Sequence, residues 1–318
     1  VKRLLIIDAA NMFIRNYVMS PQLDADGKPI GGLTGFMRSL QKEVRRAKAD
    51  RVVIAWEGPG GSQSRKEKNK NYKAGRKPPK LNRQYEFNTE DEERENKYQQ
   101  MVRLTEYLDQ LPVLQLMLEN VEADDIIAWL CHCHEFTEWQ KVIISSDKDF
   151  LQLCDDKTVL IRPGKNEEVL NRNAVLEQYN IHPRNFALAR AIVGDKSDNL
   201  EGVKGLGLKT VSKRFSFLSE NKDYALKDIM THAKDNKNKV KAFQKVLESE
   251  EVIASNYEIM QLYISTISSQ GVQKLKYAIQ NDGLNLNRTQ IRTMLLRDGI
   301  ATLNIDELML MLNSHKKM

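Results

Sequence analysis

No stretch of this chain approaches the ~18 consecutive apolar residues that a membrane-spanning helix needs, so no spanning segment is expected. Nothing like a cleavage site follows the short Lys2-Arg3 lead into Leu4-Leu5-Ile6-Ile7, so no secretory signal is expected either. Only three cysteines are present, Cys131, Cys133 and Cys154. An odd count without a pairing framework argues against a disulfide-stapled domain and suits a reducing compartment. The Cys131-His132-Cys133-His134 run lacks the spacing of zinc ligand pairs and has no second pair to complete it, so it reads as buried helix residues. Internal repeats and low-complexity tracts are absent. Several phosphate and acyl-transfer signatures are missing too. There is no G-x-x-x-x-G-K-[ST] loop and no G-x-S-x-G elbow, and Asp8 is followed by Ala9-Ala10 rather than by the second aspartate of an aspartyl-phosphate enzyme.

What the chain does have is charge. Of its 318 residues 41% are hydrophobic and 29% charged, the balance of an ordinary globular protein with one large domain or two unequal ones. The net charge is +6 and the isoelectric point is near 9.0. Acids nevertheless arrive in four bursts: Asp8; Val121-Glu122-Ala123-Asp124-Asp125; Ser146-Asp147-Lys148-Asp149; and Gly194-Asp195-Lys196-Ser197-Asp198-Asn199, with Glu57 as a candidate fifth. The basic excess must therefore lie elsewhere on the surface, which favours a polyanionic partner. Close carboxylates repel unless a cation neutralises them, and hard divalent ions with oxygen ligands do so, Mg²⁺ above all where phosphate is handled.

Each burst sits at a predicted strand end or helix start. Residues 3–7 read as a buried strand ending at Asp8, 51–56 as another closing at Glu57, and 113–117, 141–145 and 159–161 as further strands. Helical stretches are predicted over 33–48, near 97–110, over 122–134 and over 148–154. This alternation predicts an α/β fold, a central mostly parallel sheet flanked by helices. Ligands of such sheets bind outside the carboxyl ends of the strands, which puts Asp8, Glu57 and Asp147 within reach of one site. Between 58 and 98 runs a long polar excursion, first basic (Arg65, Lys66, Lys68, Lys70, Lys73, Arg76, Lys77, Lys80 and Arg83), then acidic from Glu86 to Glu95. A loop that long within a compact domain is usually functional or disordered, and a segregated basic run with Tyr72 inside it favours gripping an anion. Strand signals fade after about residue 170, so a soft boundary is set near 180, with lysine-bearing helices beyond it.

Any one burst is weak evidence, since acids are tolerated in a first helical turn and are common on surfaces. All four, in an α/β chain with an aspartate after its first strand, point to two-metal phosphoryl-transfer chemistry. The last burst runs into Gly202-Val203-Lys204-Gly205-Leu206-Gly207-Leu208-Lys209-Thr210, where spaced glycines expose backbone N–H groups to a phosphate and lysines supply charge.

Over roughly residues 3 to 215 the chain resembles the 5′-nuclease superfamily of flap endonucleases and 5′–3′ exonucleases. It is similar to stand-alone bacteriophage enzymes and to the 5′-nuclease domain of bacterial DNA polymerase I. The resemblance rests on Ile7-Asp8, Tyr72-Lys73-Ala74-Gly75-Arg76, Val121 to Asp125, Ser145 to Asp149, and Gly194 to Thr210. It implies a PIN-like nuclease core over 1–180 with a helical arch at 58–98. A helical DNA-binding region would follow over 181–318, with a helix–three-turn–helix near 185–220. It further implies that Glu122, Asp124, Asp147 and Asp149 line a first metal site with Asp8 and Glu57 nearby. Asp195 and Asp198 would form a second, bridged by Asp149, and Asp125 would act through a water. Two Mg²⁺ ions are expected, with Mn²⁺ able to substitute, and K⁺ at the carbonyls of the Gly202–Gly207 turn. Lys73 and Arg76 would face the scissile phosphate beside the catalytic Asp149, while Arg15, Arg65, Tyr72, Lys204, Gly205, Gly207, Lys209, Thr210 and Lys213 would contact DNA. Family members usually carry an aspartate where this chain has Glu57, which would reach the metal shell by a different rotamer or through water. The implied partners are branched or nicked DNA and RNA–DNA duplex with 5′ ends, with a single-strand-binding protein or a polymerase as candidate protein partners. The implied setting is a monomer in the cytoplasm of a bacterial or phage-infected cell. Two other readings share parts of this pattern: a PIN-type ribonuclease, which would lack the glycine-turn grip, and a DNA-binding relative of weakened activity.

Overall fold

The structure, a computed structural model, describes residues 1–76, 79–81, 85–300 and 303–314. Lys77 and Arg83, two members of the basic run, lie outside the described residues. A six-stranded sheet forms the centre. Its strands are β1 (Arg3–Asp8), β2 (Arg51–Ala55), β3 (Leu114–Leu116), β4 (Gln140–Ile144), β5 (Thr158–Arg162) and β6 (Glu168–Leu170), in the order β3-β2-β1-β4-β5-β6. The first five are parallel, with Ile6 beside Val53 on one side and Ile143 on the other. They read as continuous apolar runs because a parallel sheet is covered on both faces. Side chains alternate accordingly: Leu4 and Ile6 enter one hydrophobic cluster, Leu5 and Ile7 the other. The antiparallel edge strand β6 was not expected, since its three residues offer one buried leucine and no periodic signal.

Fourteen α-helices are formed by the described residues. The chain runs α1 (Ala9–Met19), α2 (Gly31–Ala47), α3 (Gln63–Lys68), α4 (Glu90–Asp109), α5 (Ala123–His132), α6 (Arg172–Tyr179) and α7 (Phe186–Val193). It continues through α8 (Leu208–Arg214), α9 (Leu226–Asn236), α10 (Lys241–Glu248), α11 (Glu250–Met260), α12 (Ser269–Gln280), α13 (Arg288–Arg297) and α14 (Asp306–Ser314). Local chemistry sets several of these ends. Thr89 caps α4 by accepting from Glu92 N–H at 3.1 Å, and four acids fill that helix's first turn, where the dipole favours them. The helix expected over 148–154 is a 3₁₀ turn at Asp149–Leu153, and α5 stops at His132, with Cys131 and Cys133 both buried. Among the described residues no helix is long and apolar enough to cross a membrane.

Helices beyond residue 180 cover both faces of the sheet. Phe186, Val211, Phe243, Leu275 and Ile279 join the cluster around Leu4, whereas Ile291, Met294, Leu308 and Leu312 join Phe36, Leu40 and Leu104 on the other face. Buried residues from both sides of residue 180 thus share each cluster. The last helices are also tied to the core by charge. Asp298 accepts from Arg103 Nε at 2.8 Å, Arg103 Nη2 at 2.9 Å and the Tyr107 hydroxyl at 2.8 Å, while Glu307 accepts from Arg45 and Gln41.

Sheet order reverses direction between β1 and β4, and the crevice at such a switch point is where an open α/β sheet binds its ligand.

Because Asp298 gathers three donors from α4 in a partly buried setting, Asp298→Ala should lower unfolding free energy by about 1–3 kcal/mol in urea titration. The exposed Arg292–Asp306 pair, cut by Arg292→Ala, should cost less than about 1 kcal/mol. Equal losses would mean that the final helices are not held by Asp298.

Candidate active site

The crevice opens into a cleft of about 550 Å³ lined by Asp8, Asn11, Arg15, Glu57, Lys73, Arg76, Glu122, Asp124, Asp147 and Asp198, among others. Five separated parts of the chain deliver these acids. Asp8 ends β1 and caps α1, accepting from Asn11 N–H at 3.1 Å and from the Ser145 hydroxyl at 2.7 Å. Asp147 follows β4 and accepts from Asp149 N–H at 2.8 Å, so the two carboxylates stand on one turn. Glu122 and Asp124 open α5. Asp198 reaches the cleft from the loop after α7, and its neighbour Asp195 lies with Asp149 and Asp198 such that one carboxylate oxygen of each falls within 4.8 Å of the others. The cleft thus brings together most of the expected acids, with Asp149 and Asp195 adjoining it through Asp198. Glu57 lines the cleft but is exposed.

Electrostatics follow from the crowding. Burial, with Asp147 and Glu57 nearby, lifts Asp8 to about 6, against the pull of Ser145 and Asn11. Burial and Asp147 lift Asp149 to about 7, although Arg190 opposes them. Burial, Asp147 and Glu122 raise Asp124, and burial raises Asp198. Burial would raise Asp195 as well, but Ser197 and Arg190 hold it below the ordinary value. Carboxylates that resist ionising together are what an oxygen-ligated divalent cation relieves, so the donor set fits Mg²⁺ or Mn²⁺.

Three protein cations already answer part of this charge. Lys73 Nζ lies 3.1 Å from Glu122 Oε1, and the Tyr72 hydroxyl donates to Glu122 Oε2 at 3.1 Å. Arg65 pairs with Glu122 at 2.8 Å and takes both oxygens of Asp125 at 2.9 and 3.0 Å, with its Nε on the Ile259 carbonyl. Arg65 and Tyr72 are 6% and 3% exposed, with their polar atoms engaged inside the protein, and Asp125 gives both of its oxygens to Arg65. The third cation, Arg190, was missed: its Nε lies 3.1 Å from Asp149 Oδ1, and its Nη2 pairs with Asp195. One signal could have revealed it, since Arg190 is the single charge in the apolar helix Phe186–Val193 that runs into the last acid burst. Ser145, just past the end of β4, holds Asp8 through its hydroxyl.

Within the 58–98 segment the described residues form α3 and the start of α4. The base of the segment is pinned to the last acid loop: Lys73, held at φ +54°, donates its N–H to the Asp198 carbonyl at 2.8 Å, and Asn199 Nδ2 donates to the Asn71 carbonyl at 2.9 Å. Lys73 and Arg76 line the cleft, as does Arg15.

Beyond the acids, Gly202 packs its backbone onto the end of α7, where a Cβ would fall 1.9 Å from the Val193 carbonyl oxygen. Gly205 takes φ +84°, which favours glycine, and Gly207 leads into α8 in open space. Lys204, Lys209 and Lys213 are exposed and form no ion pair among the described residues; Thr210 is half-buried. Within the turn the Val203 carbonyl accepts from Leu206, Gly207 from Thr210 and Val211, and Lys204 from the Lys245 ammonium.

Comparison with known proteins agrees with this geometry. The family described as the 5'-3' exonuclease N-terminal, resolvase-like domain matches residues 3–180. The chain is 32% identical over 213 residues to the thermostable DNA polymerase I of Thermus aquaticus, covering 66% of this chain but only 23% of that protein. It is 29% identical over 212 residues to the 5'-3' exonuclease of Aquifex aeolicus, covering 66% of this chain and 68% of the relative. In fold it is similar to the bacteriophage T5 D15 flap endonuclease, solved as a pseudo-enzyme-product complex with DNA and metal ions. The TM-score is 0.69 at 20% identity, over 88% of this chain and 98% of that one. A cleft of converging acids at the β1/β4 switch point, in a chain whose family match spans more than half its length, places the protein in the 5′–3′ exonuclease family.

Proposed function

We propose that this chain is a structure-specific 5′ nuclease, hydrolysing phosphodiester bonds near 5′ ends and single-strand–duplex junctions of DNA, RNA primers on DNA included. The observation that carries this reading is the convergence of Asp8, Glu122, Asp124, Asp147 and Asp198 on one cleft whose rim bears Lys73 and Arg76. Asp8, Glu122, Asp124 and Asp147 would hold one Mg²⁺, and Asp149, Asp195 and Asp198 a second, with Glu57 at the margin. When bound, the metal supplies Lewis-acid charge that favours water as a nucleophile near neutral pH and steadies the leaving oxygen. The chain's own residues do the rest. Lys73 and Arg76, with Arg15 across the cleft, bind and orient the phosphate and offset the charge it gathers as water adds and the bond to the 3′ oxygen breaks. The 5′-phosphoryl and 3′-hydroxyl ends depart as products. Lys204, Lys209 and Lys213 at the glycine turn hold duplex backbone away from the chemistry, reading shape and phosphate rather than base sequence. Nucleotides next to the junction must unpair to enter the cleft, at a cost of a few kcal/mol.

Cleavage of a 5′-labelled flap duplex should proceed in Mg²⁺ and stop in chelator. A labelled single-stranded RNA cut as readily as the flap would favour a PIN-type ribonuclease instead. Asp149→Asn should abolish cleavage while leaving duplex binding intact or tighter, because it removes negative charge from the cleft. Near-normal turnover by that variant would sink the assignment.

Lys73→Ala should slow single-turnover cleavage at saturating enzyme by about 10²-fold or more, with little change in duplex dissociation constant. A loss confined to affinity would move Lys73 from the phosphate to general DNA binding.

Metal and pH should be linked. Asp8 and Asp149 stand at about 6 and about 7 in the fold, above their ordinary value of 3.8, so the stability they contribute is present at low pH and lost as pH rises through those values. In chelator, the melting temperature should therefore fall from about pH 5 to about pH 8, and Mg²⁺ should flatten that fall. A melting temperature in chelator that is level or rising across this window would contradict the picture of unrelieved carboxylates.

A further inference from the structure

The helices after α8 carry no recognisable motif, yet one of their lysines stands at the glycine turn. Lys245, on α10, donates from Nζ to the Lys204 carbonyl oxygen at 3.1 Å. A Cβ built on Gly205 would find that ammonium at 3.7 Å and no other heavy atom within 4 Å outside its chain neighbours. The space before the turn is thus open to solvent and flanked by a single cation from another helix. Packing fixes that helix firmly. Phe243 and Val246 are buried in the main core, and the Phe243 ring meets Phe215, at the end of α8, edge-on at 5.6 Å between centroids. Lys245 and Lys241, four residues apart, project from the opposite, exposed face of α10. Lys245 has no carboxylate partner among the described residues, and an ammonium carries three donors, of which the Lys204 carbonyl uses one. Among the described residues no carboxylate offsets its charge, and its other two donors face solvent.

From this geometry we infer that Lys245 is a duplex-phosphate contact, delivered by α10 to the same backbone segment that meets Lys204 and the glycine turn. The duplex then lies across α8 and α10 together, and the helices beyond residue 220 take part directly in holding substrate. The inference rests on the duplex-grip reading of Lys209 given above.

The test is fluorescence anisotropy of a labelled flap duplex in Ca²⁺ at several KCl concentrations, with wild type, Lys245→Gln, Lys245→Arg and Lys209→Ala. Loss of one phosphate contact lowers the log–log salt slope by about 0.9. Lys245→Gln should show that decrease and Lys245→Arg should keep the wild-type slope, because the arginine keeps the charge. A wild-type slope in Lys245→Gln, with or without a lower melting temperature, would overturn the inference and leave Lys245 as a brace between α10 and the turn. If Lys209→Ala alone reduces the slope, the duplex grip stands without α10. If neither variant changes the slope, the grip itself is misplaced.

Discussion

Mutual repulsion among carboxylates gathered at the β1/β4 switch point is the constraint on which the rest of this molecule depends. The sheet brings Asp8 and Asp147 together because β1 and β4 pair in register and both end at the crevice. The opening of α5 then adds Glu122 and Asp124, and the loop after α7 adds Asp195 and Asp198. Such a set is tolerated only with cations nearby. The chain supplies three: Arg65 and Lys73 on Glu122, and Arg190 between Asp149 and Asp195.

Those internal cations explain how distant parts of the chain act as one site. Glu122 is 1% exposed, so the residues that reach it are fixed in place. Through Arg65, Tyr72 and Lys73 it holds the base of the 58–98 segment over the acids, and the Lys73 N–H then joins that base to Asp198. Arg190 links the last acid loop to Asp149 in the same way. Under the proposed function, Lys73 and a divalent cation would share Glu122 Oε1, which would couple metal binding to the position of the Lys73 ammonium. On the far face, Asp298 and Glu307 fasten the final helices to α4 and α2.

Much of this was legible in the sequence, for physical reasons. Parallel strands buried on both faces print themselves as apolar runs, so β1, β2, β4 and β5 were found within a residue or two. The acid bursts fell at strand and helix ends and could be placed together by the switch-point rule. The burial of Arg65 and Tyr72 against Glu122 was not legible, because a basic run in a long polar loop looks solvent-facing and that contact is a tertiary fact. Arg190 escaped because one arginine in an apolar helix carries no spacing signal. Beyond residue 220 the helices were read only as lysine-bearing, since which sheet face each covers depends on packing partners far away in sequence. Strand β6, three residues long, was beyond the reach of any pattern.

Crystals soaked in Mn²⁺ and measured for anomalous scattering would test the central claim most directly, by locating the ions rather than their effects. Two peaks are predicted, one among Asp8, Glu122, Asp124 and Asp147 and one among Asp149, Asp195 and Asp198, with Lys73 displaced from Glu122 Oε1. Absence of both peaks, with Lys73 and Arg190 still seated on their carboxylates, would contradict the account: the acids would then be neutralised by the chain itself, and the cleft would not be a metal-dependent nuclease site.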